Sequence, residues 1–186
     1  MKRPLLIAVL LAAVGLANAA NPLENWYLTG TGAKSYQIGV DSAETISGQP
    51  ARFIRYVEGD GSSFGMLGQT ISAKSYQGKR VRFQAMIKTR DVTQWAGLLM
   101  SALRPDERHA SAFYNSQDKP IAGTNDWQLR SVTLDIPGDA ATLNIGVIDG
   151  GRGQVWIDQL SLEVVGQDVP VDFLPGRRPP SDTPSL

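Results

Sequence analysis

No cysteine occurs in the 186 residues, so neither a disulfide nor a thiolate metal site can hold the chain together, and apolar burial has to supply its stability. His109 is the single histidine. A multi-histidine metal centre is thereby excluded, and a Ser-His-Asp or Cys-His arrangement would have only that base to draw on. Charge of one sign is lacking too, with 18 basic residues against 18 acidic. Without clustered Lys and Arg there is no footprint for binding a phosphate backbone, and nucleic acid is set aside as a partner. Neither a Gly-Lys-Ser/Thr phosphate loop nor a nucleophile elbow is present. Gly150-Gly151-Arg152-Gly153 is glycine-rich, but it reads as a β-turn between strands, where a phosphate cradle would open a helix.

Long apolar runs are absent except at the start, where Lys2 and Arg3 precede the apolar stretch Leu5 to Leu16 and the small-x-small triplet Ala17-Asn18-Ala19. This is the pattern of a secretory signal peptide cleaved after Ala19. As a helix the stretch would reach roughly 18 Å, short of a bilayer core about 30 Å thick. The expectation is an exported protein, periplasmic or secreted, with no membrane span after cleavage. Loss of Lys2 and Arg3 takes the 18 basic residues to 16 against 18 acidic, a net charge of −2.

From residue 20 to 166 the chain reads as one domain of short alternating segments split by Gly, Asn, Asp and Pro. In Lys79 to Lys88, Val81, Phe83, Ala85 and Ile87 share one face and Arg80, Arg82, Gln84 and Lys88 the other, which is period two. The same pattern covers Gln128 to Ile136 and Gly153 to Val165, where strict alternation puts Trp156, Asp158, Leu160, Leu162 and Val164 on one, core-facing side. Further strands are expected at Ser35 to Asp41, Ala51 to Tyr56, Phe64 to Ile71, Trp95 to Leu103, Ala110 to Asn115 and Thr142 to Ile148, with a short one around Trp26. The helix candidate is a turn near Ala73 to Tyr76. About nine mostly antiparallel strands predict an all-β, two-sheet jelly-roll β-sandwich. Residues 167 to 186 read as a Pro-rich tail, disordered beyond Gly176, with Val169, Val171, Phe173 and Leu174 able to pack back.

Catalytic apparatus is not legible. His109 falls in a hairpin loop, and Asp126, Asp135, Asp139, Asp149 and Asp158 mostly fall at strand ends and turns, where aspartate is ordinary turn chemistry; a carbohydrate-active hydrolase or lyase built on paired carboxylates is the less favoured reading. The chain is therefore expected not to be an enzyme. Aromatics carry more promise, because sugar rings stack their C–H faces on Trp or Tyr while polar side chains meet the hydroxyls. Trp127 and Trp156 read as core. Trp95, with Tyr114 and Asn115 of the Phe113-Tyr114-Asn115 segment, is expected to line an exposed sheet face together with Arg82, Gln84, Ser101, Gln117 and Asp118. For Asp158 two readings stay open: a hydrogen-bonded or Arg-paired carboxylate, or an oxygen ligand to a structural Ca²⁺ with Glu24 or Asp41 as co-ligand.

Six motifs appear in order: Asn25 to Gly30, Tyr36 to Asp41, Tyr76 to Arg82, Trp95 to Leu98, Gln117 to Ile121 and Gly153 to Asp158. In them the chain, from about Glu24 to Val165, resembles a bacterial β-sandwich domain found alone behind signal peptides or appended to regulators and hydrolases. More distantly it is similar to carbohydrate-binding modules of the galactose-binding-like jelly-roll fold. The wider resemblance implies a calcium site using an acidic residue near the N-terminus and an aspartate in the last strand, here Glu24 and Asp158; the second aspartate that commonly follows is Gln159 in this chain. The expectation is a noncatalytic module for a glycan or cell-envelope polymer, with a protein-interaction module docking an envelope protein as the alternative.

Overall fold

The computed structural model describes residues 23–176. Nine strands build it: β1 (Trp26–Thr29), β2 (Tyr36–Asp41), β3 (Ala51–Tyr56), β4 (Phe64–Ser72), β5 (Arg80–Leu103), β6 (Ala112–Tyr114), β7 (Ile121–Asp135), β8 (Thr142–Gly150) and β9 (Gln154–Val164). Every pairing is antiparallel. Among the described residues the one helix is a short 3₁₀ turn, Ala33–Ser35, and Ala73 to Tyr76 forms a hydrogen-bonded turn. Among the described residues no helix is long and apolar enough to cross a membrane. The expected signal peptide and the end of the expected tail lie outside the described residues.

The strands form two layers. The first runs β7-β5-β9-β3-β2 and the second β1-β4-β8-β5-β6, with β5 common to both. The sequence predicts two strands where β5 is one of 24 residues. Its first half, Val81 to Arg90, pairs with β9, and its second half, Trp95 to Leu103, pairs with β8. Between them Asp91 adopts φ +54° and the register against β7 slips. The left-handed residue bends the ribbon without ending it, so the chain passes from one layer to the other. Alternation holds on both sides of the bend: Val81, Phe83, Ala85 and Ile87, then Ala96, Leu98, Met100 and Ala102, all face the interior and are fully buried.

Strand β9 departs from alternation. Gln159 has φ +48°, and the register against β5 shifts between Gln84 and Met86, the signature of a bulge that adds one residue. Val155 and Ile157 face the core before it and Leu160 and Leu162 after it. Trp156 and Asp158 consequently sit on the outer face, opposite Lys88 and Met86, and not on the core side that strict alternation predicts. Trp156 is nonetheless only 1% exposed, because the Arg90 guanidinium lies 5.0 Å over its ring and its indole N–H donates to Asp41 at 3.0 Å.

After β9 the chain is anchored to the sandwich. Arg80 donates to the carbonyls of Gln167 (2.6 Å) and Val169 (2.7 Å). Asp172 exchanges backbone and side-chain bonds with Thr133 and pairs with Lys119 at 2.9 Å. Val171, Phe173 and Leu174 are half-buried, as their apolar character in the tail predicts.

Candidate functional site

The outer face of the second layer is read from its register. Thr70 lies opposite Asn144, Asn144 opposite Ser101, and Ser101 opposite Phe113. The next row is Tyr27, Gly68, Gly146 and Leu99, the one after it Thr29, Met66, Ile148 and Gly97, and the last Phe64, Gly150 and Trp95. A polar ladder crosses four strands: Tyr27 Oη to Thr70 Oγ1 at 2.6 Å, Thr70 Oγ1 to Asn144 Oδ1 at 2.6 Å, and Asn144 Nδ2 to Ser101 Oγ at 3.3 Å. Its direction is determined. Thr70 gives its proton to the Asn144 carbonyl, so Tyr27 has to donate to Thr70, and Ser101, accepting from Asn144, keeps its own proton to give. The ladder thus runs from the exposed Tyr27 hydroxyl, with its lone pairs free, down to Ser101, which is only 5% exposed. Half-buried Phe113 lies beside Ser101, and half-buried Trp95 lies six residues from it along β5.

Glycines shape the floor between the aromatics. A Cβ on Gly146 would stand 2.3 Å from the Leu67 carbonyl oxygen and 2.7 Å from Met66 Cε, so the Met66 side chain lies across the Gly68–Gly146 pair. The β6–β7 connection meets the face between Leu99 and Trp95, where Ser116 sits against Gly97 and donates to the Leu98 carbonyl at 2.9 Å.

The sequence-predicted residues divide. Trp95 and Ser101 lie on this face. Tyr114 is on the inner side of β6, 1% exposed, opposite Met100. Arg82 and Gln84 belong to the outer face of the other layer, where Arg82 pairs with Glu163 at 2.8 Å. Asn115, Gln117 and Asp118 occupy the β6–β7 connection, Asn115 accepting from the Gln117 amide at 3.2 Å. Tyr27, Thr70 and Asn144 escaped the sequence reading. Each is an unremarked polar position on its own strand, and only the order β1-β4-β8-β5 makes them neighbours.

Glu24 and Asp158 do meet at one place, a cleft of about 670 Å³ that Trp26, Arg52, Gln69 and Phe83 also line. It opens where β3, paired with β9 only from Arg52 to Arg55, parts from the bulged strand. The Arg52 guanidinium lies 5.3 Å over the Trp26 ring. Asp158 is saturated with donors: Oδ2 accepts from the amides of Ile46 (2.8 Å) and Ser47 (2.9 Å), and Oδ1 from that of Gln159 (2.7 Å). Burial works to raise its pKa, and these amides with the Ser47 hydroxyl outweigh it, holding the carboxyl below the ordinary range. Asp41 is occupied by the Trp156 indole and the Ala43 amide. Calcium needs oxygens free of N–H donors, so these residues do not fit it; they fit the hydrogen-bonded reading of Asp158. Among the described residues no group of three His, Asp or Glu side chains is placed to hold a metal.

Comparison with known proteins places this geometry. No family model matches the chain. An uncharacterised HTH-type transcriptional regulator of Bacillus subtilis, YbfP, is 31% identical over 151 residues, which are 80% of this chain and 50% of that protein. The chain thus spans about half the length of that relative. Among solved structures, a xylan-binding domain from CBM 22 superposes with a TM-score of 0.55 at 11% identity, covering 81% of this chain and 93% of that one. The C-terminal family 22 carbohydrate-binding module of Clostridium thermocellum Xyn10B gives 0.52 at 12% identity over 78% and 89%. The enzymatically active domain of bacteriophage CBA120 tailspike protein 4 gives 0.57 at 18% identity over 78% and 20%. The fold is the β-sandwich jelly roll of carbohydrate-binding modules.

Proposed function

We propose that the chain is an exported, noncatalytic module that binds a glycan across the outer face carrying Trp95, Phe113 and the Tyr27–Thr70–Asn144–Ser101 ladder. The ladder carries this reading. Four hydroxyl and amide side chains held in one hydrogen-bonded row make a preorganised polar edge whose exposed Tyr27 end can accept from sugar hydroxyls, and Trp95 and Phe113 offer ring surfaces on which C–H faces of a sugar chain stack. The jelly-roll neighbours that bind xylan support the same class of ligand. His109 is exposed, in the Arg104 to Ala110 connection and not on this face.

A glycan array followed by calorimetric titration of soluble xylo- and galacto-oligosaccharides tests the reading. Trp95→Ala and Asn144→Ala are each expected to weaken binding about tenfold or more, equivalent to about 1.4 kcal/mol or more, while their thermal melts stay within a few degrees of the wild type. Retained affinity in both variants would move the site elsewhere. Silence of the whole array, with an envelope protein co-purifying through this face, would replace the glycan by a protein partner.

A further inference from the structure

One carboxyl on β8 takes part in neither the ladder nor the cleft. Asp149 points inward between Gly65 of β4 and Ala96 of β5. It is fully buried, and neither of its oxygens has a hydrogen-bond partner. The groups around it offer no compensation. From β4 and β5 its neighbours in register carry no charge. From β2 comes Tyr36, whose hydroxyl is directed at the carbonyls of Ser63 (2.9 Å) and Gly151 (2.5 Å). From β3 comes Tyr56, edge-on to Tyr36 and bonded to the Gly59 carbonyl. From the β8–β9 turn comes Arg152, whose guanidinium lies 5.9 Å over Tyr56 and reaches the Asp60 carbonyl; the Asp60 carboxylate is taken by Ser62. Burial alone pushes Asp149 up to about 7, and burial followed by the charge of Asp149 holds the Tyr36 phenol above its ordinary range.

A buried carboxylate without a partner has two ways to lower its free energy: keep the proton, or let water in. Asp149 lies one residue before the end of β8, beside the β8–β9 turn whose Arg152 is exposed, and that turn is tied to the Trp95 end of the face. A Cβ on Gly150 would lie 3.0 Å from the Trp95 carbonyl oxygen and 3.1 Å from its ring. Thr93, two residues before Trp95, is bonded twice to Arg152: the Thr93 amide donates to the Arg152 carbonyl and the Arg152 amide donates to the Thr93 hydroxyl, both at 2.8 Å. The geometry points to Asp149 as a proton-operated latch on the Trp95 end of the face: protonated, it keeps the Gly150–Gly153 turn packed against Trp95; ionised, it draws water through that turn and loosens the indole. This regulation rests on the glycan reading for its biological output. The latch itself does not.

The test follows indole N–H resonances of the secreted chain from pH 5 to 9, Trp95 being assigned with Trp95→Phe, alongside xylohexaose titrations at the two ends. The Trp95 resonance should shift and broaden with a midpoint near neutrality in the wild type and stay flat in Asp149→Asn. Affinity should drop about tenfold from low to high pH in the wild type and not in the variant. A Trp95 signal indifferent to pH, or one that titrates identically in Asp149→Asn, overturns the latch. If Asp149→Asn does not fold, the ¹³C resonance of the wild-type Asp149 carboxyl decides: a midpoint in the ordinary carboxylate range overturns the proposal. Failure of every saccharide to bind would sink the glycan reading and leave the Trp95 titration to judge the latch.

Discussion

Two aspartates on strands consecutive in sequence, Asp149 of β8 and Asp158 of β9, illustrate how environment alone sets opposite chemistry. Asp158 is met by three amides and titrates below the usual range. Its contribution to stability is therefore present above the unfolded value of 3.8 and lost as pH falls through the lower folded one. Asp149 is met by none and titrates at about 7. The sign reverses: its stabilisation is complete below 3.8 and is lost as pH rises through about 7, an effect of roughly 4 kcal/mol at most. In Asp149→Asn the melting temperature should accordingly stop falling between pH 4 and 7. Removing the other carboxylate has a different outcome. Asp158→Ala is expected to destabilise by roughly 2–4 kcal/mol, because it strands the Ile46 and Ser47 amides and frees the 42–50 connection. Differential scanning calorimetry at pH 7 measures it. The same melts with and without EDTA should coincide, since donors already fill Asp158; a drop on chelation would restore the calcium site.

At the scale of the element, irregular residues decide which side chains face where. The bend at Asp91 lets one strand serve both layers, and the bulge at Gln159 brings Leu160 and Leu162 back to the core after Trp156 and Asp158 have turned outward. On β8 the close approach of Gly146 to Leu67 and Met66 brings β4 and β8 together under the ladder. Gly146→Ala should therefore destabilise by roughly 1–3 kcal/mol and displace Met66 into the face, read as a lower melting temperature together with weaker saccharide binding. The segment after β9 covers part of the β7 edge through Asp172 and Thr133. Truncation after Val165 should expose that edge strand and promote self-association, visible by light scattering.

For the whole molecule, a jelly roll of this kind presents two unlike outer faces. One bears the ladder. The other bears guanidinium and aromatic pairs, with Arg55 5.5 Å over Phe53 and Arg90 5.0 Å over Trp156, and there Arg82 and Gln84 belong. The eight residues expected from the sequence to line one site are thus divided between two faces, the interior and a connection.

Alternation of apolar and polar residues by itself determined the all-β class, the span of β3 and the interior set from Val81 to Ile87, because a side-chain period of two is a local property of the extended backbone. The absence of cysteine and the single histidine likewise determined which metal and nucleophile chemistries were closed to the chain. Only the tertiary structure decided that β5 is one strand, that Trp156 and Asp158 face outward, that Asp149 is sealed without a partner, and that Tyr27, Thr70, Asn144 and Ser101 form a row. Those outcomes depend on strand order, on bulges held by left-handed residues and on burial from several strands at once, and each arises from contacts between residues far apart in the chain, which no local period encodes.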